Sequence, residues 1–568
     1  MNYQVDRYYT YKEMTDLLQA FADEYPQLIT LESAGQSLEK REIWAVTVTD
    51  KKTGPHHDKP AIYIDANIHG GEVSGSNVCI HTIHKLVRGY GSDPEVTRLL
   101  ERRTFYILPR TNPDGAEAFL TSPDQRWGSA RPYPLLDDAE GLVRADMNDD
   151  GAILLMRLAD ENGEWKISKS DARLMVPRAP HEYGGEYYRL LPEGYLSEGA
   201  DPEDYKVLPR MFQLNLNRNF PAGWEPEALQ SGGGAYPLSE PECKAVVDFI
   251  MERPNIGALQ AYHTYGGVIL RPFSHLADTE FPGDDLIAYE ILGELGEELT
   301  GYEMVSIYHA FTDDKSKPRR GVLGDWAYNH CGIMSCGAEL WNMAAEAGVR
   351  RADPGNYYPF QNQPEEDELR MLKFNDEALE GEGFMDWVGF DHPQLGKVEI
   401  GGWRWKFTRK NPPVKFLEKE CERNIPFSLV QAAMLPELTI KSTSVKPFGD
   451  GAYEVTAVVE NTGYLPTNVM TMAVEMDAAE SVKAVLTVPE GWEVAGGSDE
   501  VNLGHIPGRL RASGGFYFGE PDMGVSRKTR TARWYVKSRA GAETDATMTI
   551  GVRCPRAGKV EAEIDFNQ

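Results

Sequence analysis

Apolar runs of strand character alternate with helix-period segments through the first half of this chain, and that alternation restricts the fold more than any other feature. IWAVTV, AIYIDAN, FYILPR and IGALQAYH read as strands. VCIHTIHKLV and CKAVVDFIME read as helices between them, and TYKEMTDLLQAFADEYP sets Met14, Leu17, Leu18 and Phe21 on one helical face that stops at Pro26. Such alternation gives an α/β sheet layered by helices.

With 568 residues the chain exceeds a single core and divides into more than one unit. Near Pro436 its character changes: TIKSTSV, AYEVTAVVEN, MTMAVEM, VKAVLTV, ARWYVKS and ATMTIGV are short β-branched runs between turn signals, the pattern of a β-sandwich. The expected units are residues 1–436 and a C-terminal β-sandwich over 437–568. VKFLEKECERNIPFSLVQAAML, helical with a break at Pro426, closes the first. Residues of about 122–210, rich in Pro, Gly, Asp and Tyr, read as a surface insertion. Within it Asp146, Asn148 and Asp150, followed by Gly151, match the opening of a calcium loop, although the twelfth position is Arg157 rather than Glu. A calcium site and a solvated acidic turn both remain open.

The 58 Lys and Arg against 88 Asp and Glu leave a net charge of −30, which repels phosphate backbones and anionic lipid surfaces. Nucleic acid and membrane insertion are therefore not expected. The amino terminus lacks the apolar core of a secretion signal, so the expected location is cytoplasmic unless a leader has been trimmed. The six cysteines lack CxxC spacing and read as buried free thiols.

AIYIDANIHGGEVSG is a buried strand, a tight turn carrying His69 and Glu72, then a helix. A His-x-x-Glu turn offers one nitrogen and one carboxylate oxygen. Zinc accepts both, and a catalytic zinc needs a third protein ligand from elsewhere. Taken alone, the tetrapeptide is a weak signal and reads more readily as a helix-capping Glu beside an incidental His. Four later segments stand in order beside it: ILPRTNPDGAEAF, LNLNRNFPAGWEP, LQAYHTYGG and GDWAYNHCGIMSCGAELWN. The ordered set, from about Tyr9 to Trp341, resembles the zinc carboxypeptidases of the pancreatic carboxypeptidase A type.

The resemblance implies a mixed β-sheet flanked by helices, with zinc on His69, Glu72 and His263. It implies Glu339 as general base toward the attacking water, and Asn217 and Arg218 as the grip on a free substrate carboxylate, with Tyr308 closing over that end. The family's oxyanion arginine has no direct match, because the corresponding pair is Trp127-Gly128; Arg131 and Arg126 are both candidates, Arg131 preferred. The position before Asp325-Trp326, where the family reads side-chain specificity, is Gly324. Lys315, Lys317, Arg319 and Arg320 read as a solvated loop, and His81 and His84 as ordinary helix residues. The chain begins almost at the catalytic unit, so activity without removal of an inhibitory segment is expected.

The function implied is zinc-dependent removal of C-terminal residues from peptides with a free carboxylate. The alternatives are an N-acyl amino acid deacylase of the aspartoacylase sort and a non-catalytic protein binding peptides or a wall polymer.

Overall fold

Residues 3–135, 139–349, 364–510, 528–538 and 547–565 are described by a computed structural model of the chain. Eight strands form the main sheet: β1 Ile29–Gln36, β2 Glu42–Val48, β3 Ala61–Ala66, β4 Thr104–Leu108, β5 Ile256–Thr264, β6 Val268–Arg271, β7 Glu303–Ser306 and β8 Met334–Leu340. Their order across the sheet is β1-β2-β4-β3-β5-β8-β6-β7. The sheet is mixed: β4, β3, β5 and β8 run parallel, while β1, β2 and β6 add antiparallel pairings. Every residue of β3, β4 and β5 is buried, as expected of central strands covered on both faces.

Two apolar layers provide that cover. On one face the helices Tyr11–Glu24, Ser74–Gly89, Asp285–Thr300 and Val414–Met434 bury Met14, Phe21, Ile80, Leu292 and Leu417. On the other, Pro241–Met251 and Leu323–Cys331 bury Val246, Phe249, Leu323 and Trp326. The opening helix carries a capping box, with Thr10 and Glu13 exchanging hydrogen bonds. Val414–Met434 runs unbroken through Pro426, against the break expected from the sequence. Burial of Leu417, Cys421, Ile425 and Phe427 along its length outweighs the single backbone hydrogen bond that proline removes. Among the described residues no helix is long and apolar enough to cross a membrane.

The stretch 122–210 is more ordered than its sequence suggests. Its strands Leu155–Ala159, Trp165–Ile167, Met175–Pro177 and Tyr188–Pro192 join the later hairpin Phe384–His392 and Gly396–Trp403 in a six-stranded antiparallel sheet. Leu142, Leu154, Met156, Leu196, Val398 and Ile400 give this sheet its own small core. Strands of three to five residues are too brief to show a period, and their partner lies some two hundred residues downstream, so the sequence reads as irregular.

From Leu438 onward the chain forms two four-stranded antiparallel sheets. Val455, Ala457, Trp534 and Val536 of one face Val482, Leu486, Ile550 and Val552 of the other across a shared core, a β-sandwich. MTMAVEM does not enter it as a strand. Thr471–Glu475 is a short helix, because the backbone N–H groups of Thr471 and Met472 turn to donate to the buried Asp285 carboxylate at 2.6 and 3.1 Å.

The sandwich is anchored by Arg556, whose buried guanidinium donates to the carbonyls of Cys331, Gly332, Asn468 and Ala478. Two of these carbonyls lie at the end of the helix Leu323–Cys331, where a cation also meets the negative pole of the helix. Burial pulls the Arg556 pKa down to about 10, which leaves it charged at neutral pH. Arg556→Met should lower the unfolding free energy by about 3 kcal/mol, since it strands these carbonyls without a donor. Urea denaturation checks this, and an unchanged midpoint would show that the contacts carry no net stability.

Candidate metal centre and cleft

The carboxyl ends of β3, β5 and β8 meet at one place on the sheet edge, where open α/β sheets hold ligands. After β3 the chain turns through Asn67, at φ 63°, whose side chain donates to the carbonyls of His69 at 2.6 Å and Gly70 at 3.0 Å. Gly70 is pressed against Gly115: a Cβ there would lie 2.6 Å from its backbone, so the turn admits no side chain. This fixes His69 and Glu72 at the mouth of the helix that begins at Ser74.

His263 reaches the same point from the end of β5. Glu72 Oε2 lies 3.0 Å from His69 Nδ1 and 3.0 Å from His263 Nδ1, and the two nitrogens are 3.3 Å apart. Ligands on a tetrahedral zinc with bonds of roughly 2.0–2.1 Å are separated by roughly 3.3 Å, so these donors fit one zinc ion. Among the described residues this is the one group of three or more His, Cys, Asp or Glu donors close enough to share a metal.

The surroundings prepare those donors. Asn215 Oδ1 accepts from the Asn217 backbone at 2.9 Å and lies 3.0 Å from His69 Nε2. That places the imidazole proton on Nε2 and leaves the Nδ1 lone pair for a metal. Burial pushes the His69 pKa below its ordinary value, favouring the neutral ligand form, and the ring stacks on Trp127 at 4.3 Å. For Glu72, burial alone would raise the pKa, but His69, Lys410 and His263 hold it well below the carboxylate range.

Parallel register sets Glu339 of β8 beside His263 of β5. Burial raises the Glu339 pKa; His263 opposes the shift, and the charge of Glu72 adds to it. These residues line a cleft of about 370 Å³ together with Asn217 and Arg218. The Asn217 carboxamide oxygen accepts from Leu323 N at 2.9 Å and Arg218 Nη1 donates to the Asn217 carbonyl at 2.6 Å. Leu270, Ile307, Val322 and Gly324 give the cleft an apolar wall, and Arg319 lines it as well rather than standing in a solvated loop.

Other residues singled out from the sequence lie elsewhere. Tyr308 is not among the lining residues; its ring stands edge-on to His309 at 5.2 Å, on a short helix whose Ile307 does line the cleft. Neither arginine candidate reaches the cleft. Arg131 Nε pairs with Glu240 at 3.1 Å, and Arg126 lies over the Phe212 ring at 3.8 Å with Glu39 and Asp124 nearby. Each guanidinium is drawn off by local carboxylates, and Trp127 between them is the side chain that faces the metal turn.

The acidic loop gives no support to calcium. Asp146 accepts from the backbone of Asp150 and Gly151, Asn148 from Asp150 N, and Asp150 from Ala152 N and the Asn148 amide, so the loop closes on itself. Arg157, at the twelfth position, pairs with Glu399 instead. His81 bonds Glu422 at 2.7 Å on its helix, and all six cysteines are buried free thiols. Three contributors were not singled out by the sequence: Asn215, Trp127 and Lys410. Asn215 stands two residues before Asn217 in LNLNRNF, and the need of a ligand histidine for an outer acceptor is the signal that points to it.

Residues 14–366 match the zinc carboxypeptidase family, and the chain belongs to that family. Residues 437–565 match a separate domain family of unknown function. Carboxypeptidase D of Anas platyrhynchos is 34% identical over 111 residues, 20% of this chain and 8% of the relative. Carboxypeptidase A1 of Sus scrofa is 24% identical over 328 residues, 57% of this chain and 59% of the relative. The chain thus spans less than two thirds of these relatives. The crystal structure of carboxypeptidase A from Helicoverpa armigera aligns with a TM-score of 0.39 at 18% identity, covering 67% of this chain and 75% of that one.

Asn215→Ala should weaken zinc binding about 10- to 100-fold, because the His69 ring loses the acceptor that orients it. Competition with a chromophoric chelator measures this, and wild-type affinity in the variant would deny Asn215 that part.

Proposed function

We propose that this protein is a metallocarboxypeptidase that releases single residues from the C-terminal end of peptides. The observation that carries the reading is the gathering of His69, Glu72, His263, Glu339 and Arg218 along one cleft. His69, Glu72 and His263 would hold zinc, which when bound acidifies water and polarises a carbonyl.

The chain's own groups supply the rest. Glu339, beside His263 and raised in pKa by burial, accepts a proton from the attacking water and returns it to the departing amine. Arg218 offers planar paired donors that match both oxygens of a terminal carboxylate, and the Asn217 backbone carbonyl braces it from behind. The apolar wall around Leu270 and Ile307 accepts the terminal side chain and keeps water away from it. Gly324 adds neither charge nor bulk to that wall.

Glu339→Gln should lower kcat by about 10²- to 10⁴-fold while zinc content stays at wild-type level. Metal analysis alongside steady-state kinetics on short peptides tests this, and near-normal turnover would remove Glu339 from the mechanism. Arg218→Ala should cost about 2 to 3 kcal/mol of discrimination for free over amidated peptide termini. If the wild type cleaves acid and amide forms of one peptide equally, the exopeptidase reading fails.

A further inference from the structure

Apart from the metal cleft, and sharing no lining residue with it, a second pocket of about 700 Å³ opens in the stretch 122–210. Backbone pairing brings two arginines to it. Leu142–Arg144 runs antiparallel to Gly194–Leu196, and Leu142 O accepts from Leu208 N at 2.9 Å. Arg144 Nη1 donates to Leu208 O at 2.5 Å, so Leu208 is gripped on both sides, and after Pro209 the chain delivers Arg210 to the same pocket.

These two cations lack counter-ions. Arg210 makes no side-chain hydrogen bond and no ion pair among the described residues, and Arg144 has only the Leu208 carbonyl, its Nε being buried without an acceptor. Burial presses both pKa values below that of a free arginine, and at Arg210 the charge of Arg144 adds to the effect against an opposing pull from Asp124. Asp124 itself lies 3.6 Å from Arg126 Nε. The other carboxylates of the lining, Glu140 and Glu198, are exposed, where water screens them. Two half-buried charges of one sign without partners are costly, and an anion between them relieves that cost.

The rest of the wall selects which anion. Val143, Ile153, Leu208, Met211 and Phe212 line the pocket with more apolar surface than a bare inorganic ion can cover. Three carboxylates in the lining also disfavour a doubly charged group. We propose that this pocket binds a carboxylic acid with an apolar body, its single carboxylate held by Arg144 and Arg210 and its chain laid against Val143, Ile153 and Phe212. Planar paired donors suit that group. The site stands independently of the metal centre.

Hexanoate is the probe, titrated by calorimetry into Arg218→Ala protein so that the cleft does not hold the same carboxylate. One molecule should bind saturably at millimolar concentration, and Arg210→Met on that background should weaken it about tenfold or more, with Arg210→Lys in between. Hexanol, which lacks the charge, and inorganic phosphate, which lacks the apolar body, should each bind about tenfold more weakly. Arg210→Met should unfold at the temperature of its parent or higher, since it removes an unpaired charge rather than a bond. Absence of saturable hexanoate binding, or equal binding by Arg210→Met, overturns the proposal. Phosphate binding as tightly as hexanoate overturns the choice of a carboxylic acid, and hexanol binding as tightly overturns the part given to the arginines. A lowered melting temperature in Arg210→Met, with Arg210→Lys binding no better than it, makes the arginine a structural part of the loop and overturns the proposal as well.

Discussion

A nearly water-free carboxylate governs the cleft. Glu72, left alone at 3% exposure, would be too costly to keep charged, and without its charge the site would have little hold on a dication. Two imidazoles, an indole and an ammonium stand around it and keep it ionised. The backbone permits this only because the turn is tight: Asn67 bends the chain through a left-handed conformation and Gly70 lies flush against Gly115. The same turn that presents the ligands therefore decides how closely they gather.

The sheet does the remaining alignment. β3, β5 and β8 are adjacent and parallel, so their carboxyl ends arrive together, and the pairing of His263 with Glu339 is a matter of register alone. A one-residue slip of either strand would turn its side chain to the opposite face and part the two. Apolar layers on both sides of the sheet oppose such a slip, which is why groups on rigid strands can hold the spacing that a metal requires.

Much of this was legible beforehand, for reasons visible in particular residues. Long buried strands announce themselves through continuous apolar runs, whereas His69, Glu72, His263 and Glu339, near the ends of such runs, were assigned through the resemblance of five ordered motifs to the zinc carboxypeptidases. The acidic loop misled because alternating oxygen side chains can serve the loop's own backbone as readily as an ion. Arg126 and Arg131 misled because proximity in sequence says nothing of the carboxylates, Glu39, Asp124 and Glu240, that draw them aside. Lys410 was out of reach altogether: it meets Glu72 across 338 residues, and a lysine between an arginine and an asparagine in a polar stretch carries no periodic signal.

Lys410, Asn411 and the long helix after them have a consequence for biosynthesis. The metal turn emerges from the ribosome early, while its brace at Lys410 and Asn411, and the helix Val414–Met434 that covers the sheet behind it, come hundreds of codons later. Until residue 434 is made, the translated chain lacks one of the four helices that cover that face of its sheet. The contacts that Lys410 and Asn411 add to this centre are therefore completed only late in translation.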